Sequence, residues 1–234
     1  MGVAYNSSIV TNGLVLCLDA ANSKSYPGSG DTWTDLSGNG VIGTLSATSI
    51  GYDSANGGSL VFDGTDDYVD CGSNSNFSFG TGDFTIECWY RRNGSQPNFS
   101  TFLCTGTGSA TTTWQFCFGS SAFSPTSVNM LTFFIGTGSD LYLYDTVISP
   151  DLEWIYACVT RSGTLASLYK NGSLISSGNN SSNLTDQGLR VGINRGSSTY
   201  LKGNISNIRL YKGKALTATE IAQNFNALRS RYSI

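Results

Sequence analysis

Short apolar runs with period two, separated by clusters of Gly, Asn, Ser and Asp, recur along nearly the whole chain and constrain its fold more than any other feature. Residues that alternate over four to eight positions make strands buried on one face, and the polar clusters between them supply tight turns. Residues 14–18 (LVLCL) are an apolar run suited to a buried strand, and residues 58–62 and 68–71 flank an aspartate-rich turn. In residues 84–91 (FTIECWYR), Phe84, Ile86, Cys88 and Tyr90 share one face, while Thr85, Glu87, Trp89 and Arg91 share the other. Residues 99–104, 114–118, 130–135, 141–144, 154–160, 165–170, 173–175, 189–193 and 203–211 continue the series. Asn171-Gly172 falls between two such runs and signals a hairpin, because both residues tolerate positive φ. Roughly a dozen strands are expected. One helix is expected beside them. Thr217 and Glu220 have the spacing of a capping box, and Ile221, Phe225 and Leu228 then recur on one helical face.

The 234 residues suffice for one sizeable core, and no shift in composition marks a linker. Residues 1–12 read as an arm or an extra edge strand that docks on this domain or a neighbour, and residues 13–234 as the domain itself. The chain has no histidine, which excludes Ser-His-Asp and Cys-His catalysis and any His-ligated metal. Its net charge of −3, with only 12% charged residues, argues against nucleic-acid binding through phosphate neutralisation. No apolar run reaches the roughly 20 residues of a membrane-spanning helix, so no membrane insertion is expected. The first twelve residues lack a basic segment and an apolar core, so no secretory leader is expected either. The six cysteines form no C-x-x-C pair and sit within apolar or alternating runs, which reads as buried free thiols.

The ordered set of residues 13–40 (GLVLCLDAANSKSYPGSGDTWTDLSGNG), 59–72 (SLVFDGTDDYVDCG), 84–91, 154–163 (W-x-x-x-x-V-T-R-x-G), 168–172 (LYKNG) and 203–225 (GNISNIRLYKGKALTATEIAQNF) resembles the laminin-G-like, concanavalin A-like jelly-roll domains. The resemblance implies an all-β fold: a jelly-roll β-sandwich of two antiparallel sheets, with the short C-terminal helix over an edge or end. Such folds carry lectins, glycan hydrolases and adhesion modules alike, so the fold does not fix the function. The wording of residues 13–40 is similar to that of tailed-bacteriophage virion proteins, especially cyanobacterial and marine ones. It implies a non-enzymatic protein on the virion surface, a capsid decoration or fibre component made in the host cytoplasm. Its partners would be other virion proteins, with weak binding of host surface glycans, and a homo-oligomer is compatible with it. The alternative is a Ca²⁺-assisted lectin or receptor-binding adhesin.

Asp63, Asp66 and Asp67 place three carboxylates in five residues of one turn. Hard cations such as Ca²⁺ take six to eight oxygen ligands, and Asp19 and Asp35 are candidates to complete the set. The other reading is turn chemistry, in which Asp accepts local backbone N–H bonds. Trp89 and Trp154 lie in strand patterns and read as core. The Gly/Ser/Thr/Tyr-rich loops 94–100, 106–113 and 136–144 are the expected glycan surfaces. Retaining glycosidases need two carboxyls about 5 Å apart, which alternate residues of one strand can supply. Among the three glutamates Glu87, Glu153 and Glu220, only Glu153 has such a partner, Asp151, and that pair lies in a loop after Pro150. A hydrolase is therefore disfavoured. Lys202, Arg209, Lys212, Lys214, Arg229 and Arg231 read as a solvated edge that discourages aggregation.

Overall fold

In the computed structural model, residues 8–46, 50–106, 113–119, 129–136, 141–194, 196 and 198–234 are described. They form two eight-stranded, wholly antiparallel sheets packed face to face, with one helix. The first sheet runs β14 (Ser173–Asn179), β13 (Leu165–Lys170), β12 (Trp154–Ser162), β7 (Phe84–Arg92), β16 (Lys202–Lys212), β5 (Ser59–Asp63), β4 (Gly51–Asp53), and β1 (Leu14–Asp19) also pairs with β16. The second runs β11 (Leu141–Ile148), β10 (Met130–Ile135), β9 (Trp114–Phe118), β8 (Thr101–Thr105), β15 (Gly188–Val191), β6 (Val69–Ser73), β3 (Ile42–Leu45), β2 (Thr32–Thr34). Side chains such as Leu16, Ile86, Tyr90, Phe102, Phe116, Phe133, Val159 and Ile208 fill the space between the sheets. This is the expected sandwich. The alternation places Phe84, Ile86, Cys88 and Tyr90 in that core, and Asn171 adopts φ +50 at the β13–β14 hairpin.

Helix α1 (Ala218–Leu228) begins at the expected capping box: Thr217 accepts from the Glu220 amide and Glu220 from the Thr217 amide. Its position departs from expectation, because it covers the outer face of the first sheet rather than an edge or end. The face of β7 carrying Glu87 and Trp89 is thereby as buried as its opposite. Trp89 stacks on Tyr232 at 4.2 Å and on Phe225 at 5.7 Å, and with Trp154, Tyr156, Tyr211 and Ile221 makes a second apolar cluster.

Within this cluster lies a buried ion pair. Arg209 Nε donates to Glu87 Oε2 at 2.6 Å, and both side chains are essentially unexposed. Arg209 is thus not part of a solvated edge. β16 lies inside the sheet between β7 and its partners β1 and β5, and both of its faces are covered. Arg231 is likewise occupied, donating to Asp19 at 2.8 Å. Burial is the largest single influence and pulls the Arg209 guanidinium down, but Glu87 together with Tyr211, Tyr156 and Cys17 outweighs it and holds Arg209 above its ordinary range.

Asn224 of α1 donates to both Glu87 oxygens at 2.9 and 3.1 Å, and Tyr156 donates its hydroxyl to the same carboxylate. Asn224 Oδ1 also accepts from the Val10 amide at 2.8 Å, and Tyr211 donates to the Val10 carbonyl at 2.9 Å. One carboxylate therefore ties together two central strands, the helix and the segment entering β1. Removing one partner of a buried pair leaves an uncompensated charge, at a cost of about 3–5 kcal/mol. Arg209→Met should lose stability on that scale in urea denaturation, and the double variant Glu87→Gln/Arg209→Met should recover part of it. A single variant as stable as the native protein would contradict this role.

Candidate functional site

A cleft of about 800 Å³ lies between the loop joining β1 to β2 and residues 45–46 and 50–52. Tyr26 and residues 28–31 form one side, and Leu45, Ser46, Ile50 and Tyr52 form the other.

The sequence SYPGSGD builds the first wall. Ser25 is buried, accepting from the Asp19 amide and donating to the Thr34 carbonyl, which fixes the loop against β1 and β2. Tyr26 turns inward and donates its hydroxyl to the Gly30 carbonyl at 3.0 Å, closing the loop on itself. Gly28 and Gly30 have φ of +92 and +95, a region that side chains disfavour. At Gly28 a Cβ would also stand 3.3 Å from the Tyr52 ring, so the glycine backbone can approach the opposite wall closely.

Tyr52 packs directly on Tyr26, with ring centroids 5.5 Å apart, and donates to the Ala20 carbonyl. Burial, reinforced by Tyr52 and the Asp31 carboxylate, raises the Tyr26 phenol above its ordinary value and keeps it protonated. The lining thus combines tyrosine and aliphatic surface with peptide groups, serine hydroxyls and one exposed carboxylate, Asp31. Apolar surface with a few fixed polar groups is the usual make-up of a small-ligand site.

Ser46 connects this cleft to the acidic turn. Its hydroxyl accepts from the Tyr68 amide at 2.8 Å and donates to the Asp66 carbonyl at 3.2 Å. Carboxylate oxygens of Asp63, Asp66 and Asp67 lie within 4.8 Å of one another, a hard-donor set that a divalent cation can use. Turn chemistry operates there as well: Asp67 accepts from the Asp63 amide and Asp63 from the Thr65 amide. Asp19 and Asp35 do not join the group. Asp19 binds Arg231, while Asp35 accepts from the amides of Cys17, Ser37 and Asn39 and organises the DLSGNG loop.

The expected glycan loops sit elsewhere. Residues 94–100 are anchored by Gln96, bonded to the Lys202 backbone, and by the buried Ser100, while Ser95, Pro97 and Asn98 are exposed. Residues 107–112 and 137–140, parts of the other two, lie outside the described residues. The Tyr26–Asp31 cleft went unforeseen because its segments have no periodicity. A tyrosine and an aspartate bracketing Pro-Gly-Ser-Gly were its one visible signal. Glu87 is sealed under α1, and Asp151 accepts from the Gly94 amide.

All six cysteines are buried thiols outside any disulfide. Burial lifts Cys17 to about 11 and Cys71 to about 12, so thiolate is scarce at neutral pH. A thiol reagent at pH 8 should label no cysteine in the folded protein and all six in denaturant. Rapid labelling of the native protein would contradict the burial.

A profile of the family described as the concanavalin A-like lectin/glucanases superfamily, laminin G type 3, matches residues 63–222. A search of curated proteins found no match. Among solved structures, domain 4 of AbnA, a GH43 extracellular arabinanase from Geobacillus stearothermophilus in complex with arabinotriose, superposes with a TM-score of 0.68 at 16% identity, covering 90% of this chain and 97% of that one. The binding domain of Paraclostridial Mosquitocidal Protein 1 gives 0.69 at 16% identity, covering 93% and 52%. A structure of botulinum neurotoxin type C, described as dependent on two ganglioside molecules for cell entry, gives 0.68 at 16% identity, covering 94% and 52%. The chain spans about half the length of those toxin chains. At these identities the likeness is one of fold.

Proposed function

The chain belongs to the concanavalin A-like lectin/glucanases superfamily, and from that premise we propose that it is a non-enzymatic carbohydrate-binding module whose ligand site is the cleft lined by residues 28–31, Leu45, Ser46, Ile50 and Tyr52. The observation that carries this reading is the cleft itself: a partly exposed Tyr52 ring beside Leu45 and Ile50, close-approaching glycine backbone, and hydroxyl, carbonyl and carboxylate groups. Sugars present apolar C–H faces and a periphery of hydroxyls, which such a lining matches on both counts. The arabinotriose and ganglioside descriptions of similarly folded proteins support the ligand class. Ser29 is an exposed lining residue, so Ser29→Trp fills the cleft without touching the core. On a glycan array the native protein should bind saturably, and Ser29→Trp should lose that binding with its melting temperature unchanged. Retained binding in that variant would move the site elsewhere.

The setting proposed for this binding is a tailed-phage particle, with the chain as a surface decoration or fibre component contacting other virion proteins. The wording of residues 13–40 is its support. Mass spectrometry of purified particles should find the protein, and its consistent absence would refute the setting. Within the same reading, Asp63, Asp66 and Asp67 take Ca²⁺, supported by their convergence beside Ser46. Added Ca²⁺ should then raise the melting temperature in a way that Asp63→Asn/Asp66→Asn abolishes. An unchanged melting curve would leave these carboxylates to turn chemistry.

A further inference from the structure

The charges around the cleft are one-sided. Its lining among the described residues includes Asp31 and no lysine or arginine. Ser46, in the opposite wall, is hydrogen-bonded to the turn that carries Asp63, Asp66 and Asp67. Lys24, two residues before Tyr26, is exposed but does not line the cleft, while Arg231 binds Asp19 and Arg91 binds Asp53, the neighbour of Tyr52. Glycans differ mainly in whether they carry carboxylate, sulfate or phosphate groups. A site that holds such a group offers arginine, lysine or a cluster of free N–H donors to it. This cleft offers a carboxylate, the Gly30 carbonyl already engaged by Tyr26, and hydroxyl groups.

We propose that the cleft selects neutral saccharides and rejects acidic ones, with Asp31 as the residue that sets the choice. This rests on the carbohydrate-binding reading above and specifies its ligand class. Asp31 is exposed and its side chain accepts from the Thr32 hydroxyl at 3.1 Å, which leaves its second carboxylate oxygen to accept from a sugar hydroxyl. The same oxygen repels the carboxylate of a sialic or uronic acid, and like-charge juxtaposition in a binding site costs more than a missing contact. The uncharged phenol of Tyr26 adds no positive charge to offset it.

The test is a panel of neutral oligosaccharides with their sialylated, uronate and sulfated counterparts, read against the native protein, Asp31→Asn, Asp31→Lys and Ser29→Trp. Thermal melting confirms that each variant is folded. The native protein should bind acidic members about ten-fold or more weakly than their neutral counterparts. Asp31→Asn should narrow the ratio, Asp31→Lys should bring it to unity or invert it, and Ser29→Trp should bind neither class. Acidic glycans bound as well as neutral ones, with that binding lost in Ser29→Trp, would overturn the selectivity while leaving the carbohydrate-binding reading intact. So would a ratio that Asp31→Lys leaves unmoved. No binding to any glycan would overturn the reading itself.

Discussion

The structure turns on a buried carboxylate. Glu87 sits in the centre of a β-sheet face, where an isolated charge would be untenable, and is held there by Arg209, Asn224 and Tyr156. These partners come from the neighbouring strand β16, the C-terminal helix and strand β12, so satisfying one charge brings three parts of the chain together. The helix then caps the sheet through Trp89, Phe225 and Tyr232, and the Asn224 amide and Tyr211 hydroxyl secure the backbone at Val10. A buried pair of this kind contributes little net stability against an apolar substitute, but either partner alone is costly. Its effect here is to fix where the helix and the entering segment dock.

With one face of the first sheet buried in the sandwich core and the other under the helix, the cleft arises from connecting segments. The Tyr26 loop is anchored at Ser25 and closed by the Tyr26–Gly30 bond. The opposing wall is fixed by β4 pairing with β5, the strand that runs into Asp63. The acidic turn and the cleft wall are therefore mechanically joined, through β5 and through Ser46.

The strands were legible because β7, β10, β12 and β16 are long, and alternation is unambiguous over such lengths. The three missed strands, β2, β3 and β4, span three or four residues each and include Gly43 and Gly51, too short and too interrupted to show a period. The capping box was legible for a different reason: both of its partners lie within three residues. The Glu87–Arg209 pair was not, since its members are 122 residues apart and each alternates as a surface residue would. Only the helix over the second face makes them interior, and a period-two pattern cannot report what covers a face. The cleft was hidden for the same reason. Its two walls meet through tertiary structure, and neither loop carries a motif specific to a ligand.

The central claim, that the Tyr26–Tyr52 cleft is a saccharide site, is tested most directly by titrating a neutral oligosaccharide into isotopically labelled protein and mapping the backbone amide shifts by NMR. Saturable shifts concentrated in residues 28–31, 45–46 and 50–52, with the outer face under the helix unperturbed, are the predicted result. Saturable shifts clustered on another surface, or none at saccharide concentrations where the array reports binding, would contradict it.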